Sequence, residues 1–356
     1  MTATQVQTST MKPTNPWAKR NKARTRDVVI ASLLPGILAV VFFFVGTALG
    51  ATIDPAVLLI IGFLPAQLLA AFLVGRKYYG RHGREDALLI VVTIFLSTFV
   101  MVLLLSVLWS VISAGALALR PSFILQNSHY ISGTTSLEYG GAGHAILGTV
   151  MAVAITTILT VPLGFGIAVY LTETGGKARG VIRTLIQAMS GLPSVVSGLF
   201  IYSILVLQGW QPSGFTGSLA LLPLMLPTVS RVSEEALRLV PVDLRNGALA
   251  LGSPTWQAFA KVVFPAARSG LLTAVLLGVA RIVGETAPLV LTTTYNNDTN
   301  LNPFNGPMAM LPTFIFGYIR NMYDTSIQRG WGGCLVIMIL VGVLFVGARV
   351  ANRKKK

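Results

Sequence analysis

An arginine and a glutamate, Arg281 and Glu285, lie inside an otherwise apolar run from residue 269 to residue 292. A charged side chain in hydrocarbon costs at least ~2.5 kcal/mol, so charges within a membrane helix usually mark a transport path. The spacing of four predicts that both side chains share one helix face. A planar guanidinium is suited to bind an oxyanion in that path, and Thr286 follows the carboxylate. The alternative is an internal salt bridge that lets the helix insert or holds it against a neighbour.

Hydroxyl side chains in two further apolar runs each have two interpretations. Ser194 and Ser197 could line a pore, but small residues also let membrane helices pack closely, and packing is favoured. Thr156, Thr157 and Thr160 have the same two interpretations, with packing and hydrogen bonds to the preceding helical turn preferred.

The composition indicates an integral membrane protein. Hydrophobic residues make up 53% of the chain and charged residues 11%, and the mean hydropathy is +0.72. Apolar runs of about 20 residues are long enough to cross the bilayer core. The sequence therefore predicts an all-α polytopic fold with about eight spans, at 28–49, 55–75, 87–112, 146–171, 187–207, 217–230, 269–292 and 332–350.

The basic residues set the expected orientation. The chain has 27 Lys and Arg and a net charge of +15, and they concentrate before the first span, after the last one and in alternate loops. The loops between these basic segments contain only three Lys or Arg residues, namely Arg120, Arg320 and Arg329. The positive-inside rule then predicts that both termini are cytoplasmic. Because these charges flank membrane spans, they do not indicate a nucleic-acid surface.

Several kinds of active site are missing from the sequence. There is no phosphate-binding loop of a nucleotidase and no nucleophile elbow. Cys334 is the single cysteine, and His82, His129 and His144 lack metal-ligand spacing. We therefore expect no catalytic residue, no metal site and no cofactor in this chain. If ATP drives the protein, another chain must bind it.

The basic loop from 231 to 268 is predicted to form two short helices. Asp243 is a suitable N-cap for the first, which carries Leu244 and Ala248. Gly252 is suited to end it in the left-handed conformation. Ser253 and Pro254 then begin the second helix, which passes Trp256 toward Pro265. The pair could rest on lipid headgroups as an interfacial element or protrude as a cytoplasmic docking element.

The loop resembles the EAA loop of type I ABC importer permeases, which couples the permease to its ATPase. The resemblance runs from Glu234-Glu235-Ala236 through Asn246-Gly247-Ala248 and Gly252 to Pro265. Asn246 and Gly247 stand where the family has Glu and Ala, and Phe264 stands where it has Leu. The resemblance assigns ATPase coupling to Glu235, Asp243, Leu244, Asn246, Gly247, Ala248, Gly252, Trp256 and Pro265.

Four segments resemble the PstA permeases of bacterial phosphate importers. GETAPL at 284–289 is the most specific, and VPLGFGIAVYLTE, SGLPSVVSGLF and RGWGGCLVIM agree with it. The resemblance implies a transmembrane subunit that forms half of a phosphate pathway in the bacterial cell membrane. Its implied partners are a PstC-like permease, a PstB-like ATPase dimer that uses ATP and Mg, and a PstS-like extracytoplasmic phosphate-binding protein. The substrate pathway would include Arg281, Glu285, Thr286, Ser194 and Ser197.

This resemblance also implies the domain organisation. A basic tail occupies 1–27, an additional pair of spans with a basic loop at 76–84 occupies 28–86, and a six-helix permease core with the coupling loop occupies 87–350. Residues 351–356 form a basic cytoplasmic C-terminus. The external segment 293–331 is rich in apolar residues, which predicts either a helix on the outer membrane surface or a landing area for the binding protein.

Glu285 favours phosphate over sulfate. A carboxylate only accepts hydrogen bonds, so it repels a fully ionised oxyanion but accepts the proton of hydrogen phosphate. The alternatives are a type I permease for phosphonate, molybdate or sulfate, and a gradient-driven transporter or channel that needs no ATPase.

Overall fold

The computed structural model describes residues 64–353 except Gly175, together with a few helical positions between 29 and 45. The described residues form helices and turns and contain no β-strand. The predicted tail at 1–27 and most of the first two predicted spans lie outside the described residues. The chain divides into two units, residues 1–107 and 108–356.

One long helix dominates the described part of the first unit. Helix α1, Leu64–Ala116, has 53 residues and continues into the second unit. The prediction of a loop at 76–84 is wrong, because the backbone there is helical. No proline occurs between Pro65 and Pro121 to interrupt the helix.

The second unit is a bundle of helices with two irregular ends. After α1 come α2 (Pro121–Leu125), α3 (Gly143–Val169), which a π-helical turn at Tyr170–Thr174 extends, and α4 (Arg179–Ser190). Helices α5 (Ser194–Ile204), α6 (Gly214–Arg238), α7 (Val242–Ala250) and α8 (Thr255–Ala258) follow. A π-helical turn at Phe259–Val263 leads into α9 (Phe264–Val283), and α10 (Ala287–Thr292), α11 (Leu311–Ile319) and α12 (Asp324–Arg353) complete the chain.

Helix α6 is the centre of this unit and packs most extensively against α3 and α9. Glycines make these approaches possible. A Cβ at Gly164 of α3 or at Gly278 of α9 would lie 2.7 Å from a methyl group of Val229 on α6. A Cβ at Gly270 would lie 2.5 Å from the Cβ of Ala236. Close packing through small residues is the usual means of association between membrane helices.

Buried apolar side chains form three clusters along the bundle. The first joins α2, α11 and α12 and includes Phe123 and Phe314. The second joins α3, α6, α9 and α10 and includes Met225 and Ile282. The third, which includes Leu237, joins the ends of α3 and α6 to the start of α9 beside the 231–268 loop.

Five helical segments of the described residues are long and apolar enough to cross a membrane, at 99–116, 143–174, 214–238, 255–283 and 324–347. Helices α4 and α5 form a pair bent by 106° that could supply a sixth. The third to eighth predicted spans each overlap one of these six segments. Helix α6 is 25 residues long, so the doubtful sixth span at 217–230 is helical despite Pro223 and Pro227. The count of eight spans stays a prediction.

The segment at 293–331, which was predicted to be external, does not lie as a loose helix on the surface. Leu311 and Phe314 of α11 are fully buried, and Met308 and Met310 are each 1% exposed. Helix α11 packs against α12 and α3. Leu311 and Phe314 therefore belong to the first core cluster and Met310 to the second, whereas Phe316 and Ile319 stay exposed.

Candidate coupling and translocation site

The two-helix architecture predicted for the 231–268 loop is present, with different caps. Helix α7 begins after Pro241, so Asp243 lies in its first turn and is not the N-cap. Gly252 has φ +84°, as expected for a left-handed helix end. Pro254, and not Ser253, is the N-cap of α8. The ring of Pro254 fixes φ near −65°, which is compatible with its extended backbone at φ −64° and ψ 155°, and its side chain makes no capping hydrogen bond.

The surface of α7 is unusually exposed for an element with apolar side chains. None of its residues is buried. Leu244 is 48% exposed, and beyond the helix Leu251 is 89% and Trp256 65% exposed. No atom approaches within 4 Å of the position that a Cβ would take at Gly247 or Gly252. An apolar protrusion of this kind is expected where another protein docks.

The rest of the predicted coupling set lies around this protrusion. Glu235 is exposed near the end of α6, Asn246 is exposed on α7, and Ala248 is half-buried. Pro265 lies in the first turn of α9, directly after the π-helical turn at Phe259–Val263. The predicted residues thus lie in one continuous segment, from the end of α6 to the start of α9.

Arg245 fastens α7 to the bundle. Its guanidinium donates a hydrogen bond of 2.6 Å to the carbonyl oxygen of Leu237, at the end of α6. The same nitrogen lies 3.2 Å from a carboxylate oxygen of Glu173 in the π-helical turn that follows α3. Arg245 therefore joins the protruding helix to two long helices. Sequence reasoning missed this contact, because nothing local in the chain connects residues 173 and 245.

Glu234 joins α4 to α6 by a second ionic contact. One of its carboxylate oxygens accepts hydrogen bonds from Arg183, at 2.8 Å, and from Arg238, at 2.6 Å. Arg183 is 51 positions away in the sequence, whereas Arg238 is one helical turn away. The near pair was visible as an i, i+4 spacing. The far pair had no signal in the sequence.

The helix that was predicted over 269–292 is broken. Helix α9 ends at Val283, Gly284 is its C-cap, and α10 begins at Ala287. Arg281 therefore lies in the last turn of α9, and Glu285 and Thr286 lie in the break. The expectation that Arg281 and Glu285 share a helix face is wrong. Gly284 favours helix termination, and the ring of Pro288 suits the first turn of a new helix.

Arg281 is exposed on the surface of the bundle, beside the buried Ile282 of the middle core cluster. Glu285 and Thr286 are half-buried. Among the ion pairs of the described residues, none joins Arg281 to Glu285. The position of Arg281 at the carboxyl end of a helix is electrostatically favourable. The charge of Arg281 therefore faces away from the bundle, although the neighbouring Ile282 is in its core. Exposure of this charge to lipid alone would be energetically unfavourable.

Ser197 has a packing role. Its hydroxyl donates a hydrogen bond of 2.6 Å to the carbonyl oxygen of Ala220, and the side chain is 3% exposed. A Cβ at Gly198 would lie 2.6 Å from the Cα of Pro288, so α5 lies directly against α10. Ser194 is half-buried at the start of α5. The hydroxyls of Thr156 and Thr157 donate to carbonyls four residues earlier, as the packing interpretation predicts, whereas the buried hydroxyl of Thr160 makes no hydrogen bond.

Within the described part of the chain, no three His, Cys, Asp or Glu side chains are grouped so that they could hold a metal ion. The site therefore consists of an exposed loop, ionic links from that loop to the bundle, and an outward-facing arginine beside a broken helix. Such an arrangement suits mechanical coupling and ion passage.

Comparison with known proteins agrees with this arrangement. Residues 160–352 match the family described as the binding-protein-dependent transport system inner membrane component. The phosphate transport system permease protein PstA 1 of Mycobacterium tuberculosis is 38% identical over 273 residues, which are 74% of this chain and 88% of that protein. The chain belongs to the PstA permeases of this family.

Other members of the family match over a similar range. The phosphate transport system permease protein PstA of Mycobacterium leprae is 40% identical over 62% of this chain and 74% of its own length. The PstA protein of Pasteurella multocida is 37% identical over 60% of this chain and 76% of its own length. Among solved structures, an amino acid ABC transporter with histidines aligns over 59% of this chain and 92% of that chain, with 17% identity and a TM-score of 0.46.

Proposed function

We propose that this chain is the transmembrane permease subunit of an ATP-driven importer of inorganic phosphate. The observation that supports this most directly is its identity of 35–40% to permeases named for phosphate transport, over most of their length. Permeases for phosphonate, molybdate or sulfate are less well supported, because the similar proteins carry the phosphate name. A channel or gradient-driven transporter would have no use for an exposed coupling loop.

The experiment that tests this function measures uptake of radiolabelled oxyanions by phosphate-starved cells. Deletion of the gene is expected to abolish high-affinity phosphate uptake and to leave sulfate and molybdate uptake unchanged. Expression of the intact chain in the deleted cells should restore phosphate uptake. Normal phosphate accumulation in the deleted cells would refute the proposal.

The proposed assembly has four further subunits of three kinds. A PstC-like permease would complete the pathway, because one chain presents Arg281 on an open surface. A PstB-like ATPase dimer would bind ATP and Mg and supply the energy, because this chain has no phosphate-binding loop of its own. A PstS-like phosphate-binding protein would deliver the substrate from outside. In this assembly, the 231–268 loop and both termini would be cytoplasmic. The chain would reside in the bacterial cell membrane.

The exposed loop supports a specific mode of coupling. Leu244, Leu251 and Trp256 present apolar area that the ATPase would cover, and the left-handed Gly252 fixes the angle between the two short helices. Closure of the ATPase on ATP would displace α7, and Arg245 would pass that displacement to α3 and α6 through Glu173 and Leu237. The bundle would then change between inward-open and outward-open states, each favoured by different contacts.

Arg281 is the proposed phosphate ligand of the pathway, with Glu285, Thr286 and Ser194 near it along the chain or on the adjacent helix. A guanidinium forms strong paired hydrogen bonds with phosphate oxygens. Irregular backbone at membrane depth is tolerated where it lines a water-filled path, and the break at 284–286 is such a segment. The buried Ser197 takes no part, because its hydroxyl is already bonded.

The role of this pair is tested by Arg281→Lys and Glu285→Gln. Arg281→Lys keeps the charge but loses the planar fork, and about a tenfold or greater fall in phosphate uptake is expected. Glu285→Gln removes the repulsion of sulfate, so sulfate should begin to compete for uptake. Unchanged phosphate transport and unchanged sulfate exclusion in both variants would remove the pair from the pathway.

A further inference from the structure

A cavity lined by both charged and apolar side chains lies between α4 and α6, at the coupling-loop end of the bundle. Its volume is about 350 Å³. A water molecule occupies about 30 Å³ in the liquid, so the cavity has room for a small ion together with several water molecules. It is separate from Arg281, which lies near the far end of α9.

The lining of this cavity has more positive than negative groups. Arg183, Arg231 and Arg238 face two carboxylates, those of Glu234 and Glu235. Glu234 accepts from one nitrogen of Arg183 and one of Arg238. A guanidinium has five N–H donors, so most donors of both side chains are left over. Arg231 is exposed and forms no ion pair with any described residue.

A buried hydroxyl at the same cavity has no partner. Ser230 is 1% exposed, lines the cavity, and its Oγ makes no hydrogen bond. Most serines inside membrane helices bond to a carbonyl of the preceding turn, as Ser190 does here. A buried polar atom without a partner requires an explanation, and one explanation is a missing ligand.

We propose that this cavity binds inorganic phosphate on the side of the membrane where the coupling loop lies, as an exit site. The proposal rests on the proposed function of the chain. Ser230 and Arg231 donate to phosphate oxygens, and the free donors of Arg183 and Arg238 add to the positive field. Glu235 accepts the remaining proton of hydrogen phosphate. Sulfate has no such proton, so the carboxylate repels it.

The site explains a requirement of directional transport. Phosphate that leaves Arg281 needs a following position that holds it less tightly and faces the cytoplasm, since strong binding at a single site would slow release. Because Arg183 of α4 and Glu234 of α6 both line the cavity and bind each other, a movement of α6 relative to α4 that follows ATP hydrolysis alters the cavity. The exit site is therefore coupled to the same loop that receives the ATPase.

The test is equilibrium binding of radiolabelled phosphate to the complete importer in lipid nanodiscs, without the extracytoplasmic binding protein and without nucleotide. All samples carry Arg281→Gln, so that the pathway arginine does not contribute. Arg231→Gln is compared with Arg268→Gln, which removes the same charge from an exposed arginine outside the cavity. Co-purification of the ATPase in normal amount shows that each variant has folded.

The parent is expected to bind phosphate, and Arg231→Gln should weaken binding about tenfold, since a charge-assisted hydrogen bond is lost. Ser230→Ala, which removes one oxygen atom, should weaken it about fivefold. Arg268→Gln should change it less than about twofold. An equal concentration of sulfate should displace little phosphate. Absence of binding in the parent, equal binding in the three variants, or equal competition by sulfate would overturn the proposal. Normal phosphate uptake by deleted cells would instead refute the importer function itself.

Discussion

The two ends of the second unit are built on different principles. At the coupling-loop end, α7 has no buried residue and is joined to the bundle by the contacts of Arg245. At the opposite end, α11 is buried from Leu311 to Phe314, and the hydroxyl of Thr149 accepts a hydrogen bond of 2.8 Å from the amide of Leu311. Both ends carry exposed apolar side chains, such as Leu251 at one and Met322 at the other, but α11 contributes to a buried core and α7 does not.

Arg329 shows how closed the opposite end is. It is 0% exposed, and one of its nitrogens donates to the carbonyl oxygens of Thr135, Ser136 and Tyr139, at 2.7–3.1 Å. These carbonyls belong to the loop between α2 and α3, so a single side chain fixes that loop to α12. The opposite end thus has long-range contacts made by a buried side chain, although Nε and Nη1 of Arg329 have no hydrogen-bond partner, whereas α7 has no buried residue.

The largest expected effect comes from breaking the closed end. Arg329→Met leaves three carbonyl acceptors without their donor, and we expect a loss of about 3 kcal/mol or more in the free energy of unfolding. The measurement is thermal unfolding of the purified permease complex. Arg320→Met is the matched control, because Arg320 is exposed. Its guanidinium lies over the ring of Phe316, 4.8 Å from the ring centre. A loss in the control as large as in Arg329→Met would show that charge and not burial matters.

An intermediate effect is expected from a charge placed on the open end. Leu244→Asp should weaken binding of the ATPase by about 30-fold, or ~2 kcal/mol, because an apolar contact at the centre of a docking surface is lost. Leu301→Asp places the same charge on a leucine that is 71% exposed at the opposite end. The affinity of the ATPase for the permease pair in nanodiscs is the measurement. If Leu301→Asp weakened binding more than Leu244→Asp, the ATPase would bind at the opposite end and not at the coupling loop.

The smallest effect concerns the angle between the two short helices. Gly252→Ala forces an alanine into φ +84°, which costs about 1 kcal/mol and should lower ATPase affinity about fivefold. Gly247→Ala introduces the same methyl group in the middle of α7, where alanine stabilises a helix by up to ~1 kcal/mol. Neither methyl group meets another atom within 4 Å. Gly252→Ala is therefore expected to lower the affinity for the ATPase and Gly247→Ala to raise it. Equal losses of affinity in both variants would mean that steric hindrance by the partner is decisive.

Local features of the structure were predictable from the sequence. The left-handed conformation of Gly252 follows from glycine's freedom at positive φ. The hydrogen bonds of Thr156 and Thr157 to the preceding turn are likewise local. The break between α9 and α10 was not predicted, although Gly284 and Pro288 are both helix-ending signals, because the apolar run continues through them and hydrophobicity alone does not distinguish one helix from two.

Contacts between distant parts of the chain were not predictable. Arg329 was counted as an orientation charge in an external loop, since a single sequence does not show that three carbonyls of residues 135–139 surround it. The pairs Arg183–Glu234 and Arg245–Glu173 join residues whose neighbourhood depends on how α3, α4 and α6 pack. The cavity beside Ser230 has the same origin, because its walls come from two helices and the end of α3.

The contacts of Arg245 reduce the number of independent movements that the bundle has. Helices α3 and α6 are long and pack along their length, and one guanidinium holds the end of each. A displacement of α7 is therefore transmitted to α3 and α6 at the same time, so the two helices respond to it as one body.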